Sequence, residues 1–209
     1  MKTSPALSAR LIRAFTLVEI LVVIVIISVL ASILVPQVVR VIHEGHVLKT
    51  QALMQELKNG IGSFHTDYGR LPLAEAPPAD EDMELLTDGS TPLIDALMGL
   101  PATEGEQAAL NPKGTRFSEF SIAKNERDGV VNTARPHKLH DYWGHPLRVL
   151  LDTSGDHQIK NPDTQNTDPA ISQPGGKPAG EFLSLDLAIY SVGKDGVAFT
   201  ADDVTSWRQ

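Results

Sequence analysis

The stretch FTLVEILVVIVIISVLASILV, Phe15–Val35, decides the fold of this chain, and Glu19 is its only charged residue. About 20 apolar residues in helical geometry are enough to cross the hydrocarbon core of a bilayer. The stretch is too long for the apolar part of a cleaved secretory signal, and a buried core helix would be shorter and amphipathic. It therefore predicts a membrane-spanning helix. Three basic residues precede it and place the N-terminus on the cytoplasmic side: Lys2, Arg10 and Arg13.

Glu19 is an unusual residue for a membrane helix. A carboxylate inside the hydrocarbon region costs about 2.5–3.5 kcal/mol on insertion scales, so we expect it to have a partner or a function. The alternative is a glutamate that reaches the membrane interface and has no partner.

The composition limits the classes of protein to be considered. The 209 residues leave room for one domain of ordinary size beside the membrane segment. The net charge is −8 although the first 14 residues are basic, so the remaining surface is acidic and disfavours binding to nucleic acid. The chain has no cysteine, which excludes disulfides and thiolate metal sites and leaves the redox compartment open.

The apolar pattern becomes amphipathic after Pro36. Apolar residues then recur at helical spacing: Val38, Ile42, Leu53, Leu57, Ile61 and Phe64. We predict one long helix from about residue 16 to about residue 66, ended by Gly69 and Pro72. Its first half would be the membrane anchor, and its second half would pack on a globular head.

The rest of the chain predicts a small mixed head. MELLTDGSTPLIDALMGL, residues 83–100, is interpreted as two short helices, and RFSEFSIA, residues 116–123, as a candidate strand. Further strands are predicted at 147–151 and within 182–193. The predicted fold class is α+β, with the long helix packed on a small antiparallel sheet.

The residues around Phe15 resemble a known motif. AFTLVEILVVIVIISVLASILVPQVV is similar to the type IV prepilin signature shared by pilins and the pseudopilins of type II secretion systems. The resemblance implies cleavage between Ala14 and Phe15 by a prepilin peptidase and methylation of the new amine. It also implies that Glu19 pairs with the amine of Phe15 on a neighbouring subunit and that Pro36 is the helix-kinking proline. The family usually has glycine where this chain has Ala14.

Three later segments extend the resemblance to the major pseudopilin of type II secretion: FHTDYGRLP, DYWGHP and AIYSVGKDGVAFTADDVTSW. It implies a type IV pilin-like α+β fold with three parts. These are a cleaved leader at 1–14, a long helix at 15–66 with 15–35 in the membrane, and a head at 67–209. Residues 73–135 depart from the family pattern.

The implied function is structural and not enzymatic. Such a subunit sits in the bacterial inner membrane with a periplasmic head and polymerises with copies of itself and other pseudopilins on an inner-membrane assembly platform. The filament drives protein export. A type IV pilin or minor pilin is the first alternative, although many of those carry a C-terminal disulfide. A non-polymerising, membrane-tethered calcium-binding protein is the second. An anchored hydrolase using His137, His140 and His145 is the third.

The segment VGKDGVAFTADDV is the main candidate for a metal site. Asp195, Asp202 and Asp203 would repel one another unless they are solvated or bind a cation, and calcium prefers six to eight oxygen ligands. The resemblance implies calcium here, with carboxylates from these three residues and carbonyl oxygens from Val192, Val197 and Thr200. The alternative is a solvated acidic turn.

The segment DTSGDHQIKNPD, residues 152–163, is a weaker candidate for a second calcium loop. Asp152, Ser154, Asp156 and Asp163 occupy positions one, three, five and twelve of an EF-hand-like loop. Position six requires a sharp turn and is normally glycine, but here it is His157, and position twelve is aspartate in place of glutamate. A plain turn between strands is the favoured interpretation.

Overall fold

The computed structural model describes residues 16–74, 77, 81–101 and 110–208. The predicted processing residues Ala14 and Phe15 lie outside these ranges. The chain divides into two compact units between Glu44 and Gly45.

The first unit is helical. Helix α1 spans Leu17–Tyr68 and contains Pro36, and every described residue from 16 to 44 is exposed. Within the described residues, α1 is the one helix whose length and composition fit a membrane span. The helix satisfies its own backbone hydrogen bonds, but water solvates its apolar side chains poorly. An exposed apolar surface of this length therefore needs lipid or other helices around it.

The second unit begins with the C-terminal part of α1, which has one buried face. Leu57 and Phe64 are fully buried there, and Leu53 and Ile61 are nearly so, as the helical spacing predicts. Gly60 is also buried, because α1 passes close to the segment at residues 117–118. A β-carbon at residue 60 would lie 3.3 Å from the β-carbon of Ser118 and 3.5 Å from the carbonyl oxygen of Phe117.

The central sheet is antiparallel and has four strands in the order β1-β4-β7-β8. Two further pairs, β2–β3 and β5–β6, are separate ribbons. The strands are β1 (Met83–Leu86), β2 (Gly129–Val131), β3 (Lys138–His140), β4 (Arg148–Leu151), β5 (Ile159–Lys160), β6 (Phe182–Leu183), β7 (Leu187–Ser191) and β8 (Val204–Thr205). The short helices are α2 (Leu93–Leu97) and α3 (Pro169–Ser172), with 3-10 turns at Pro162–Gln165 and Pro174–Gly176.

The hydrophobic core joins the buried face of α1 to α2 and to one face of the sheet. Val149 of β4 is fully buried opposite Leu85 of β1 and Ile189 of β7. The α+β prediction of a long helix with an antiparallel sheet is confirmed.

Three predictions about the head are corrected. The first of the two helices predicted in 83–100 is wrong, because this segment forms β1 and pairs with β4 from Met83 to Leu86. Met, Glu and Leu favour a helix, but the free energy of this preference is small compared with that gained by burying Leu85 in the sheet. The candidate strand at 116–123 forms only a single bridge, between Ile122 and Val130. The strand predicted within 182–193 is two strands, β6 and β7.

Candidate functional site

The Glu19 carboxylate has partners in its own chain. Glu19 Oε2 accepts hydrogen bonds from the backbone amide of Thr16 at 2.8 Å and from its hydroxyl at 2.9 Å. The amide of Glu19 in turn donates to Thr16 Oγ1 at 3.2 Å. This is a capping box, in which the residue before the helix and the third helical residue satisfy each other's amides.

The capping box explains how one chain tolerates a carboxylate at this position. The hydrogen bonds replace part of the lost hydration, and the carboxylate lies at the positive end of the helix dipole. The spacing Thr-x-x-Glu is a capping signal in the sequence, and it identifies Thr16 as a partner that the prediction for Glu19 did not include.

The C-terminal acidic loop joins β7 to β8 and is closed by its own backbone. Asp202 Oδ2 accepts from the amides of Lys194 at 2.6 Å and Asp195 at 3.1 Å, and its Oδ1 accepts from the Thr200 hydroxyl at 2.8 Å. Asp203 Oδ2 accepts from the Phe199 amide at 2.7 Å. The Asp202 carboxylate thus ties the beginning of the loop to its end.

Three of the remaining predicted ligands of this loop, Asp195, Val197 and Thr200, have hydrogen-bond partners too. Asp195 Oδ1 accepts from the Val197 amide at 2.8 Å. The Val197 carbonyl accepts from the Thr200 hydroxyl at 3.1 Å, and the Thr200 carbonyl accepts from the side chain of Asn166 at 2.9 Å. Val192 is buried at the root of the loop.

Two neighbouring carboxyl groups in this loop differ in acidity. Burial is the largest influence on Asp202 and opposes its ionisation, but hydrogen bonds from Thr200, Asp195 and Lys194 outweigh it and lower the pKa of Asp202. Burial raises the pKa of Asp203, and the amides of Phe199 and Thr200 offset only part of this rise. The loop therefore has the oxygen ligands that calcium prefers, and two of its adjacent carboxylates repel each other.

A buried aspartate anchors the root of the C-terminal loop. Asp141 Oδ1 accepts from three consecutive amides at 2.8 Å each: Trp143, Gly144 and His145. Its Oδ2 accepts a hydrogen bond from the hydroxyl of Ser191, the last residue of β7. Ser191 Oγ also accepts from the Gly193 amide at 3.1 Å, so Asp141 fixes the first turn of the loop. Sequence reasoning missed Asp141, because the pair Trp143–Gly144 beside it indicates only a turn.

Two comparisons with known proteins give a match. Residues 10–35 match the family described as the prokaryotic N-terminal methylation motif. The chain is 26% identical over 194 residues to the type II secretion system core protein G of Aeromonas hydrophila, across 93% of this chain and 91% of that protein. The chain carries a type IV prepilin-like N-terminal motif. Its likeness to the core protein extends from the N-terminal helix through the head, and no solved structure gives a significant match.

The second candidate calcium loop of this prepilin-like chain is a tight turn after β4. Asp152 Oδ1 accepts from the Gly155 amide at 2.7 Å and the Ser154 hydroxyl at 3.1 Å, and Asp152 Oδ2 accepts from the His157 amide at 2.8 Å. Asp156 Oδ1 accepts from the Gln158 amide at 2.9 Å. His157 has φ of 60°, so it adopts the left-handed conformation that position six requires although it is not glycine.

Asp163 lies apart from the other three predicted ligands of this loop. It is buried, its Oδ2 accepts from the Trp207 indole nitrogen at 2.9 Å, and its Oδ1 lies 3.2 Å from Arg208 Nε. Its role in the structure is to hold the C-terminal segment.

The structure brings together two sets of three possible metal ligands within its described residues. In each set the ligand atoms lie within 4.8 Å of one another: Asp152 with His157 and Asp186, and Asp152 with Asp82 and Asp156. Neither set includes Asp195, Asp202 or Asp203. Sequence reasoning missed Asp82 and Asp186, because they are distant from Asp152 in the chain.

The three histidines considered for a hydrolase contact separate groups, and the ring of His145 lies beside Gly196, where a β-carbon would be 2.9 Å from its Cε1 atom. The buried His137 ring lies 2.5 Å from Asp95 Oδ1 and 2.7 Å from Asn132 Oδ1, and Arg135 Nε lies 2.8 Å from the other oxygen of Asp95. His140 Nδ1 lies 2.8 Å from the carbonyl of Glu126. The contacts of Asp95 with His137 and Arg135 join α2 to the turn of the β2–β3 ribbon.

Proposed function

We propose that this chain is a structural subunit of a type II secretion pseudopilus, which polymerises in the periplasm and drives protein export. The observation that carries the proposal is the continuous exposed apolar surface of α1 from Leu17 to Ile42, on the same helix that continues into a folded head. Such a surface can be covered by lipid before assembly and by the helices of other subunits after it. The similarity to a type II secretion core protein over nearly the whole chain supports the same conclusion.

The proposed filament gives Glu19 a second partner. In the single chain the carboxylate binds Thr16, and in the filament it pairs with the amine of Phe15 on a neighbouring subunit. A correctly placed neighbour brings two opposite charges together in a medium of low dielectric constant, whereas a misplaced one leaves a charge unpaired. Glu19 thereby selects the register of assembly.

The location and partners follow from the same proposal. A prepilin peptidase cleaves between Ala14 and Phe15, the helix remains in the inner membrane with the head in the periplasm, and the secretion platform extracts the subunit into the filament.

The C-terminal loop binds calcium through Asp195, Asp202 and Asp203, with carbonyl oxygens of Val192, Val197 and Thr200 as further ligands. Binding requires the Asp195 carboxylate to leave the Val197 amide and approach the other two.

Filament assembly by Glu19→Leu and Ser28→Ala variants tests the function. Ser28 is the matched control, because its hydroxyl is a polar group on the same exposed helix and donates to the carbonyl of Ile24 in its own helix at 2.6 Å. Each form is expressed with the secretion platform and its assembly ATPase, and filament yield and membrane fraction are measured. We expect Glu19→Leu to remain in the membrane but lose filaments by about tenfold or more, a change equivalent to about 1.4 kcal/mol.

Two results would contradict the proposal. Wild-type protein that is membrane-bound but forms no filaments would favour a tethered binding protein. Equal filament yield from Glu19→Leu and Ser28→Ala would show that Glu19 has no pairing role.

A further inference from the structure

Three aspartates lie side by side at one end of the central sheet. Asp82 immediately precedes β1, Asp152 immediately follows β4 and Asp186 immediately precedes β7. The strand register pairs Met83 with Leu151 and Leu151 with Leu187, so the adjoining aspartates form a row across three neighbouring strands. The amide of Asp152 donates to the carbonyl of Asp186 at 3.0 Å, which continues the ladder through this row.

This row is built by the register of the sheet, and like charges opposite each other on neighbouring strands destabilise a sheet unless a cation compensates them. Asp156 adds a further carboxylate beside Asp152 and Asp82. Such a row is therefore a place where a bound cation would relieve repulsion.

His157 adds a donor of a different kind. Its left-handed backbone conformation turns the chain back over the row, and its amide bonds Asp152. One ring nitrogen, Nδ1, lies 2.6 Å from Asp186 Oδ1. The imidazole and the carboxylates of Asp152 and Asp186 thus present one nitrogen and two oxygen ligands within 4.8 Å of one another.

The three groups border an open cavity of about 500 Å³, which is also lined by Lys58 and His65 of α1. The cavity gives an ion and its remaining water ligands access to the imidazole and both carboxylates. An entry path and a ligand set of this size are what a metal site with open positions requires.

We propose that Asp152, His157 and Asp186 bind a divalent transition metal, with zinc as the favoured ion. Imidazole with carboxylates suits zinc and its first-row neighbours better than calcium, which prefers a shell made of oxygens alone. The site is independent of the proposed calcium loop, since it shares no residue with it. A metal here would fasten the turn after β4 to the beginning of β7, and so link the ends of the two central strands of the sheet.

Zinc titration of the full chain tests this site. Tag-free protein in detergent micelles is stripped with chelator, exchanged into chelator-free buffer and titrated with zinc chloride in competition with a chromophoric chelator. We expect one site that binds zinc about a hundredfold or more tightly than calcium. His157→Asn and Asp186→Asn should each weaken zinc binding by about tenfold or more.

Two matched controls identify the ligands. His65→Gln removes an exposed imidazole that lines the same cavity, and Asp202→Asn removes a carboxylate of the other loop; both should leave zinc affinity within about twofold. Zinc X-ray absorption should show one imidazole and oxygens at about 2.0–2.2 Å. Unchanged affinity in His157→Asn and Asp186→Asn, an equal loss in His65→Gln, or a shell of several imidazoles would overturn the proposal.

Discussion

The loop after β4 and the loop after β7 are both rich in aspartate, yet they arrange their carboxylates in different ways. In the loop after β7, Asp202 and Asp203 accept hydrogen bonds from amides of the same loop. After β4, the carboxylate of Asp152 also accepts from amides of its own loop, but it lies beside carboxylates that come from distant parts of the chain. Acidic residues close in sequence thus form local turns, whereas strand register can bring together acids that no sequence spacing connects.

We expect the largest loss of stability from a substitution of Asp141, at the root of the loop after β7. Asp141→Ala leaves three consecutive amides and the Ser191 hydroxyl without their acceptor in the interior. An unsatisfied buried donor costs about 1–3 kcal/mol, and for this group we expect a loss of about 3–4 kcal/mol in the free energy of unfolding. Thermal unfolding followed by tryptophan fluorescence should show a fall of about 10 °C.

Asp141→Asn is the matched control for the anchor. The amide oxygen can still accept from Trp143, Gly144 and His145, and the amide nitrogen can donate to Ser191, so we expect a loss of only about 1 kcal/mol. Equal destabilisation by both variants would mean that the charge, and not the hydrogen-bond pattern, holds the loop.

The next largest effect is the change in melting temperature on adding calcium, which should depend on the loop after β7 and not on the loop after β4. Calcium binding to the folded form alone adds about 2.7 kcal/mol when the free ion is a hundred times the dissociation constant. Full-length protein should therefore melt at a higher temperature in calcium than in chelator. Asp195→Ala and Asp202→Ala should each remove most of this difference, because calcium needs several carboxylates.

Asp152→Ala is the control for the calcium experiment. It should leave the calcium response intact, since Asp152 belongs to the other loop. Loss of the response in Asp152→Ala alone would show that calcium binds after β4. A melting temperature that is the same in calcium and in chelator would show that the loop after β7 is a solvated turn.

The smallest expected effect is a difference between the two loops in how their contributions to stability depend on pH. The hydrogen bond and the charge of Asp186 raise the pKa of His157, so this contribution to stability is present below pH ~6.5 and is lost as pH rises through the folded pKa. The pKa of Asp202 is lowered against the opposing effect of burial, so its contribution is present above the unfolded pKa, ~3.9, and is lost as pH falls through the folded pKa.

NMR titration in metal-free buffer measures the histidine side of this contrast. The pKa of His157 should exceed that of a histidine in an unfolded peptide, and Asp186→Asn should lower it. A His157 pKa that is unaffected by Asp186→Asn would show that the two side chains do not interact in solution.

Much of the fold could be predicted from the sequence because it rests on local periodicity. The buried face of α1 at Leu57 and Phe64 and the strand at 148–151 follow directly from the spacing of apolar residues. The strand β1 could not be identified in this way, because Met83–Leu86 is short and its pairing with β4 depends on residues far along the chain. Local propensity is a weak guide where tertiary pairing decides the structure.

The candidate sites divide in the same way. The aspartates after β7 could be located because Asp195, Asp202 and Asp203 are close in sequence. The row of Asp82, Asp152 and Asp186 depends on strand register, which is set by the whole sheet. Asp141 gave no signal beyond a turn, because burial of a polar side chain is a property of the folded chain.

The close approach of α1 to the head at Gly60 limits how this protein can diverge. A methyl group at residue 60 would force the Ser118 hydroxyl to rotate, and the two β-carbons would still lie only 3.3 Å apart. A mutation that enlarges residue 60 therefore has to be accompanied by a smaller residue at 118. Lineages that keep this packing should therefore show residues 60 and 118 changing together. Glycine is required at residue 60 by the close approach of helix and head, and not by a need for flexibility in the helix.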